Sequence, residues 1–147
     1  MKLKIAWIGK TKSAAIRSLT EDYLQRISHY APIESAELHS EAALLKQLEK
    51  SAARTPPFVV LLDSRGRELT SEQFADFLRQ HQDRGTQLLV FAVGAADGLT
   101  PAARAAASGT ISLGRMTLPH ELARVVLVEQ IYRAFTILTG HPYHCGH

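Results

Sequence analysis

Three stretches of the chain combine residue types that can do chemistry: Phe91-Ala-Val-Gly-Ala-Ala-Asp-Gly98, Leu113-Gly-Arg-Met-Thr-Leu-Pro-His120 and Gly140-His-Pro-Tyr-His144. In the first, Gly94 and Gly98 follow an apolar run but fit neither GxGxxG nor GxxxxGK[ST], so no dinucleotide or ATP phosphate loop is indicated. Two glycines there permit either a plain tight turn or close backbone approach to a ligand. In the second, a strand end runs into a helix start. Its free N–H and C=O groups can read a purine edge or hold a carboxylate. Met116 and Leu118 can wall an apolar pocket or simply join the core, and Pro119 suits a first helical turn. In the third, Tyr143 and His144 either face a substrate or belong to a frayed end. His141, His144, His147 and Cys145 are too crowded, and too near the end of the chain, for a structural zinc site, so no metal is expected. Ser108, Gly109 and Ser112 build no nucleophile elbow, and Cys145 has no helix N-terminus to activate it. Covalent catalysis is therefore not expected. Transfer of a group already activated on a cofactor, which the protein needs only to align, suits these residues better.

The elements that must position these stretches alternate. Leu3–Gly9 reads as a strand and Ser13–Tyr30 as a helix capped by Ser13 and ended by Pro32. Ile33–His39 reads as a weak strand near a sheet edge, and Ser40–Ala53 as a helix before Pro56-Pro57. Phe58–Leu62 and Leu88–Val93 are apolar on both faces, as central parallel strands are. Asp63–Arg67 reads as a turn, Thr70–Arg84 as a helix and Gly94–Thr100 as a loop. Pro101–Ala107 is a short helix, Thr110–Leu113 a short strand, and Leu118–Thr139 a long helix closed by Gly140 and Pro142. The class is α/β with a mostly parallel sheet and helices on both faces. Ligands in such sheets sit at the carboxyl ends of the strands, which selects the loops after Leu62, Val93 and Leu113. The last helix is apolar around most of its circumference, from Leu122 to Leu138, which predicts burial on two sides and favours a homodimer.

Composition bounds the rest. The 147 residues include 46% hydrophobic and 21% charged residues, with net charge +3 and one cysteine. That fits one ordinary globular domain, residues 1–147, with no apolar run long enough to span a bilayer. Met1–Ile5 reads as a first strand rather than a signal peptide, and a lone cysteine gives no internal disulfide, so the cytoplasm is the expected location. Lys2, Lys4, Lys10, Lys12 and Arg17 all precede the first acidic residue, Glu21. They form either a solvated surface or a phosphate-facing patch near Lys10–Lys12.

From Lys2-Leu-Lys-Ile5 to Pro142-Tyr-His144 the chain resembles the ribosomal large subunit pseudouridine methyltransferase H family, small enzymes of the SPOUT class. Met116-Thr-Leu-Pro-His120, Arg124-Val-Val-Leu127 and Glu129-Gln-Ile-Tyr-Arg-Ala-Phe135 carry the resemblance most specifically. It implies a single SPOUT (α/β-knot) domain with a C-terminal trefoil knot formed from Gly94 to Leu118, a homodimer, and S-adenosylmethionine as cofactor. The cofactor contacts it implies are Leu62, Gly94, Leu113, Gly114, Arg115, Met116, Thr117 and Leu118. The implied reaction is methylation of N3 of a pseudouridine in large-subunit ribosomal RNA of the assembled ribosome. N3 carries a proton at neutral pH that must be removed. Tyr143 and His144 of one subunit, meeting the cofactor held by the other, are the first candidates for catalysis, with His120 and Arg124 second. Two positions depart from the family pattern. Gly94-Ala95 stands where a glycine pair is usual, and Cys145-Gly-His147 replaces a basic residue after Tyr-His. A SPOUT methyltransferase for a different RNA, an RNA-binding module without cofactor, and a flavodoxin-like nucleotide-binding protein remain the alternatives.

Overall fold

The computed structural model describes residues 1–50, 55–95 and 98–144, with the side chains of Lys50 and His144 outside the description. Five parallel strands form one sheet in the order β2-β1-β4-β3-β5. They are β1 (Lys2–Ile8), β2 (Ile33–Leu38), β3 (Phe58–Glu68), β4 (Leu88–Val93) and β5 (Gly109–Ser112). Between and after them run helices α1 (Ala14–Ser28), α2 (Glu41–Lys50), α3 (Ser71–Asp83), α4 (Pro101–Ala106) and α5 (His120–Thr139), and a 3₁₀ turn spans Pro142–His144. The expected end of α2 at Ala53 lies outside the described residues.

Strand alternation divides the core. On one face, Leu3, Ile5 and Trp7 of β1 and Leu89, Phe91 and Val93 of β4 pack with Ile27 of α1, Phe74 and Leu78 of α3, and Leu127, Ile131 and Phe135 of α5. On the other, Ala6, Ile8, Val59, Leu61, Val90 and Ala92 meet Leu44 of α2 and Ala103 of α4. The weak strand Ile33–Leu38 is an edge, as its polar alternation predicts. No helix among the described residues is long and apolar enough to cross a membrane.

Three expectations change. Asp63–Arg67 is not a plain turn, because β3 continues to Glu68 and pairs again with β5 after a register shift, Leu62 and Arg67 both facing Ile111. Gly66 allows this, since a Cβ there would lie 2.7 Å from the Ile111 carbonyl carbon. Pro119 sits just before α5 rather than within its first turn, at φ −53° and ψ 142°. The apolar girth of α5 is also covered largely within the chain. It lies between α1 and α3 over the sheet, burying Val125, Leu127, Val128, Ile131, Tyr132, Ala134 and Phe135. Burial of α5 thus does not by itself demand a second subunit.

Candidate active site

Because β4, β3 and β5 are neighbours, their carboxyl ends open side by side, and a cavity of about 690 Å³ lies there. Leu62, Asp63 and Ser64 enter it from β3, and Val93, Gly94, Ala95 and Gly98 from the loop after β4. Ser112, Leu113, Gly114, Met116, Thr117, Leu118 and Pro119 follow from β5, and His120 and Ala123 from the first turn of α5. The three loops selected from the sequence therefore converge on one space. Met116 is 86% exposed, an apolar side chain standing at an open mouth rather than in the core.

Each loop is held locally. Gly98 N–H donates to the Ala95 carbonyl at 2.9 Å, closing the turn after β4. A Cβ on Gly94 would lie 2.9 Å from Leu99 Cγ and 3.0 Å from the Gly98 carbonyl carbon, so the turn itself requires glycine there. After β5, Ser112 Oγ donates to the Gly114 carbonyl at 2.9 Å and accepts from Gly114 N–H at 3.1 Å. Asp63 straps two loops together. Its carboxylate accepts from Arg65 N–H at 2.9 Å and pairs with Arg104 at 3.4 Å, while Arg104 also donates to the Leu99 carbonyl at 3.1 Å. The Arg65 amide and the two guanidinium groups hold the Asp63 carboxyl below the usual carboxylate range, so it stays ionised.

The structure sorts the expected site residues. Leu62, Gly94, Leu113, Gly114, Met116, Thr117, Leu118 and His120 line the cavity. Arg115 does not. Its side chain is 90% exposed and lies 3.4 Å from Glu68. Arg124 does not line it either. It is fully buried and donates to the carbonyls of Ile8 at 3.0 Å and Gly9 at 3.3 Å, and to Thr11 Oγ1 at 3.0 Å. Tyr143 lies apart from the cavity of its own chain. Its hydroxyl donates to Glu129 at 3.1 Å and lies 3.2 Å from the Tyr23 hydroxyl, and its ring packs edge-on to Tyr132. Burial first, then Tyr23 and the Glu129 anion, raise the Tyr143 phenol well above its ordinary value, so it stays protonated. The His144 side chain, Cys145 and His147 fall outside the described residues. Asp63 also lines the cavity, and a carboxylate directly after a buried strand end is the signal in the sequence that marks it.

Comparison with known proteins places this architecture. The family model described as "Predicted SPOUT methyltransferase" matches residues 1–144. A protein of Koribacter versatilis (strain Ellin345) named "Ribosomal RNA large subunit methyltransferase H" is 54% identical over 147 residues, covering all of both chains. One of the same name from Geobacter sp. (strain M21) is 47% identical over 98% of this chain and 99% of that one. Among solved structures, the SpoU methyltransferase AviRb from Streptomyces viridochromogenes, in complex with the cofactor AdoMet, superposes with a TM-score of 0.56 at 18% identity. That match covers 88% of this chain, which spans only 56% of AviRb. A probable methylase family protein from Haemophilus influenzae Rd KW20 gives a TM-score of 0.58 at 11% identity, over 96% of this chain and 67% of that one. These two likenesses are of fold alone. With the family model matching nearly end to end and relatives near half-identical along the whole chain, the protein belongs to the SPOUT methyltransferase family.

Proposed function

We propose that the chain transfers a methyl group from S-adenosylmethionine to N3 of a pseudouridine in large-subunit ribosomal RNA, within assembled ribosomes in the cytoplasm. The observation that carries this reading is the cavity shared by the ends of β3, β4 and β5, in a chain whose full-length relatives are named ribosomal RNA large subunit methyltransferases. Its size falls in the ~300–1,000 Å³ range of small-molecule sites. The lining fits a nucleoside cofactor, with Leu62, Val93, Leu113 and Leu118 as apolar walls and the backbone of Gly94, Gly98 and Gly114 within reach. Asp63, Ser64, Thr117 and His120 supply the polar groups. When bound, S-adenosylmethionine supplies a methyl carbon on a sulfonium, which leaves as a neutral thioether.

The chain's own residues must then align the acceptor and take its N3 proton. Tyr143 and His144 of one subunit, reaching the cavity of the other, remain the first assignment, which makes the working unit a homodimer. Tyr143 is not among the residues that line its own cavity, which is consistent with its serving the cavity of a second subunit. A phenol held protonated beside Glu129 is a hydrogen-bond donor rather than a base, so proton removal is assigned to His144, with Tyr143 placing the tail. His120, at the rim of the cavity, is the second candidate base. The whole chain is read as one SPOUT domain, its backbone from Gly94 to Leu118 threaded as a trefoil knot.

The test is methyl transfer from labelled S-adenosylmethionine to assembled ribosomes, with free large subunits and pseudouridine-deficient ribosomes alongside. Label confined to pseudouridine-bearing large-subunit RNA is the expected result. Cofactor binding without transfer to any ribosome would overturn the substrate assignment and direct the assay to transfer RNA.

A further inference from the structure

Arg124, Glu121 and Glu37 all converge on the loop between β1 and α1, and little in a surface loop of five residues would ordinarily call for three charged anchors. Arg124 donates to the carbonyls of Ile8 and Gly9 and to Thr11 Oγ1, while its guanidinium lies 5.3 Å from the Trp7 ring centroid. Glu37 Oε1 accepts from Thr11 N–H at 2.8 Å, Thr11 Oγ1 at 3.0 Å and Trp7 Nε1 at 3.2 Å. Glu121 Oε1 accepts from Lys12 N–H at 2.9 Å and Ser13 N–H at 3.2 Å. Gly9 N–H donates to the Leu38 carbonyl at 2.7 Å, and Arg17 donates to the Thr11 carbonyl at 3.0 Å. The backbone from Gly9 to Ser13 is thus tied from three elements, β2, α1 and α5.

What the tied loop presents is positive charge. Lys10 and Lys12 are exposed, and neither has an ion pair among the described residues. The two lysines of β1 itself contrast with them. Lys2 and Lys4, at its opposite end, lie 3.2 Å and 3.9 Å from the Glu34 carboxylate. The acids near Lys10 and Lys12, Glu37 and Glu121, are both committed to loop N–H groups.

The loop also shares a wall with the cavity. Along the first turn of α5, His120 and Ala123 line the cavity while Glu121 and Arg124 hold the loop, so two adjacent i, i+3 faces of one helix join the two features. We propose that Gly9–Ser13 is a pre-set phosphate-binding edge, presenting Lys10 and Lys12 to the backbone of the substrate RNA, with Arg124 as its positioning residue. This rests on the RNA reading above. A nucleotide whose base enters the cavity mouth must carry its phosphates past a neighbouring surface, and this rim is cationic. Cations on a fixed backbone lose less entropy on binding than cations on a loose one.

Full-length protein would be co-sedimented with assembled bacterial ribosomes across a potassium chloride series, and S-adenosylmethionine binding measured separately by calorimetry. The Lys10→Gln, Lys12→Gln double variant is expected to lose about tenfold in ribosome affinity near physiological salt. Its log–log salt slope should flatten by about one to two, one released counterion per lost phosphate contact. Cofactor affinity should not change. Lys10→Arg, Lys12→Arg should retain both affinity and slope, and Lys2→Gln, Lys4→Gln should match the wild type. Arg124→Lys, which keeps a charge but not the fork, should raise the ribosome KM and leave cofactor affinity unchanged. Wild-type affinity and slope in the Lys10→Gln, Lys12→Gln variant would overturn the phosphate edge. Lowered stability in Arg124→Lys with unmoved ribosome KM would overturn the positioning role. Wild-type protein that sediments with ribosomes but transfers no methyl group would instead overturn the substrate reading, so the failures are distinguishable.

Discussion

The two ends of α5 are built from different materials. Its first turn is a junction, with His120 and Ala123 on the cavity and Glu121 and Arg124 on the β1–α1 loop. Its second half is a docking bed. Tyr132 and Phe135 pack with Tyr23 of α1 and with Tyr30 just after it, and Arg133 pairs with Glu129 at 2.6 Å and lies 5.3 Å from the centroid of Tyr143. The first end sets a buried charge against the backbone carbonyls at the carboxyl end of β1. The second uses rings and one ion pair to hold the turn after Gly140. One rigid helix therefore sets the distance between a cavity rim and a tail. On the proposed dimeric reading, the same helix would place one subunit's tail relative to the other's cavity.

The sharpest way to break the comparison is at Arg124. Arg124→Met removes three donated hydrogen bonds and strands the Ile8 carbonyl in a buried setting and the Gly9 carbonyl in a half-buried one. A loss of about 3 kcal/mol is expected, roughly a 10 °C fall in melting temperature for a chain of this size. Denaturant titration and thermal unfolding both read it. A loss below about 1 kcal/mol would mean that the loop is not fastened by this side chain.

Arg124 also marks where sequence reasoning stops. Alternation and flanking signals locate β1, β4 and the edge character of β2, because burial on two faces or one leaves its trace in residue type. The site loops follow from the strand ends. Strand order leaves no such trace, since nothing in Leu88–Val93 says that it inserts between β1 and β3. The run Asp63–Arg67 is polar and contains glycine, so it reads as a turn, while Gly66 in fact lets the strand close on Ile111. Arg124 sits four residues after His120 in a string that a family resemblance links to chemistry. Their i, i+4 spacing puts both on one side of α5, and only the packing around the helix sends His120 to the cavity and Arg124 to the loop.

The tail end should give a smaller change in stability and a different one in activity. Tyr143→Phe removes one hydroxyl from between Glu129 and Tyr23, costing about 0.5–1 kcal/mol. If Tyr143 places the tail in a partner's site, single-turnover methyl transfer falls by about tenfold or more while cofactor affinity holds. Glu129→Gln removes the charge that pairs with Arg133 and leaves Tyr143 only a weaker, neutral amide acceptor, and should give the same pattern with a stability loss of about 1 kcal/mol. Unchanged single-turnover rates in both variants would reduce the bed to a structural role.

The smallest expected effect is also the most diagnostic, because the two ends should loosen at opposite extremes of pH. Glu121 sits below its ordinary carboxylate value chiefly through the Ser13 and Lys12 N–H groups, despite the opposing effect of burial, and Glu37 chiefly through Thr11 N–H and the Trp7 indole. A lowered folded-state value means that the unfolded chain binds protons first as pH falls. The stabilisation from the loop is therefore complete above about pH 4.5, near the unfolded carboxylate value, and fades as pH drops toward the folded one. Glu121→Gln and Glu37→Gln should flatten that acid limb. Tyr143 shifts the other way. Its raised folded-state value makes its contribution complete below about pH 10, the unfolded phenol value, and lost as pH rises further. Tyr143→Phe should remove that alkaline loss and leave the acid limb alone. Stability measured by denaturant titration at acid, neutral and alkaline pH, in the three variants, separates the ends. An acid limb altered by Tyr143→Phe would mean that the two halves of α5 are one coupled unit, and the division drawn here between junction and bed would fail.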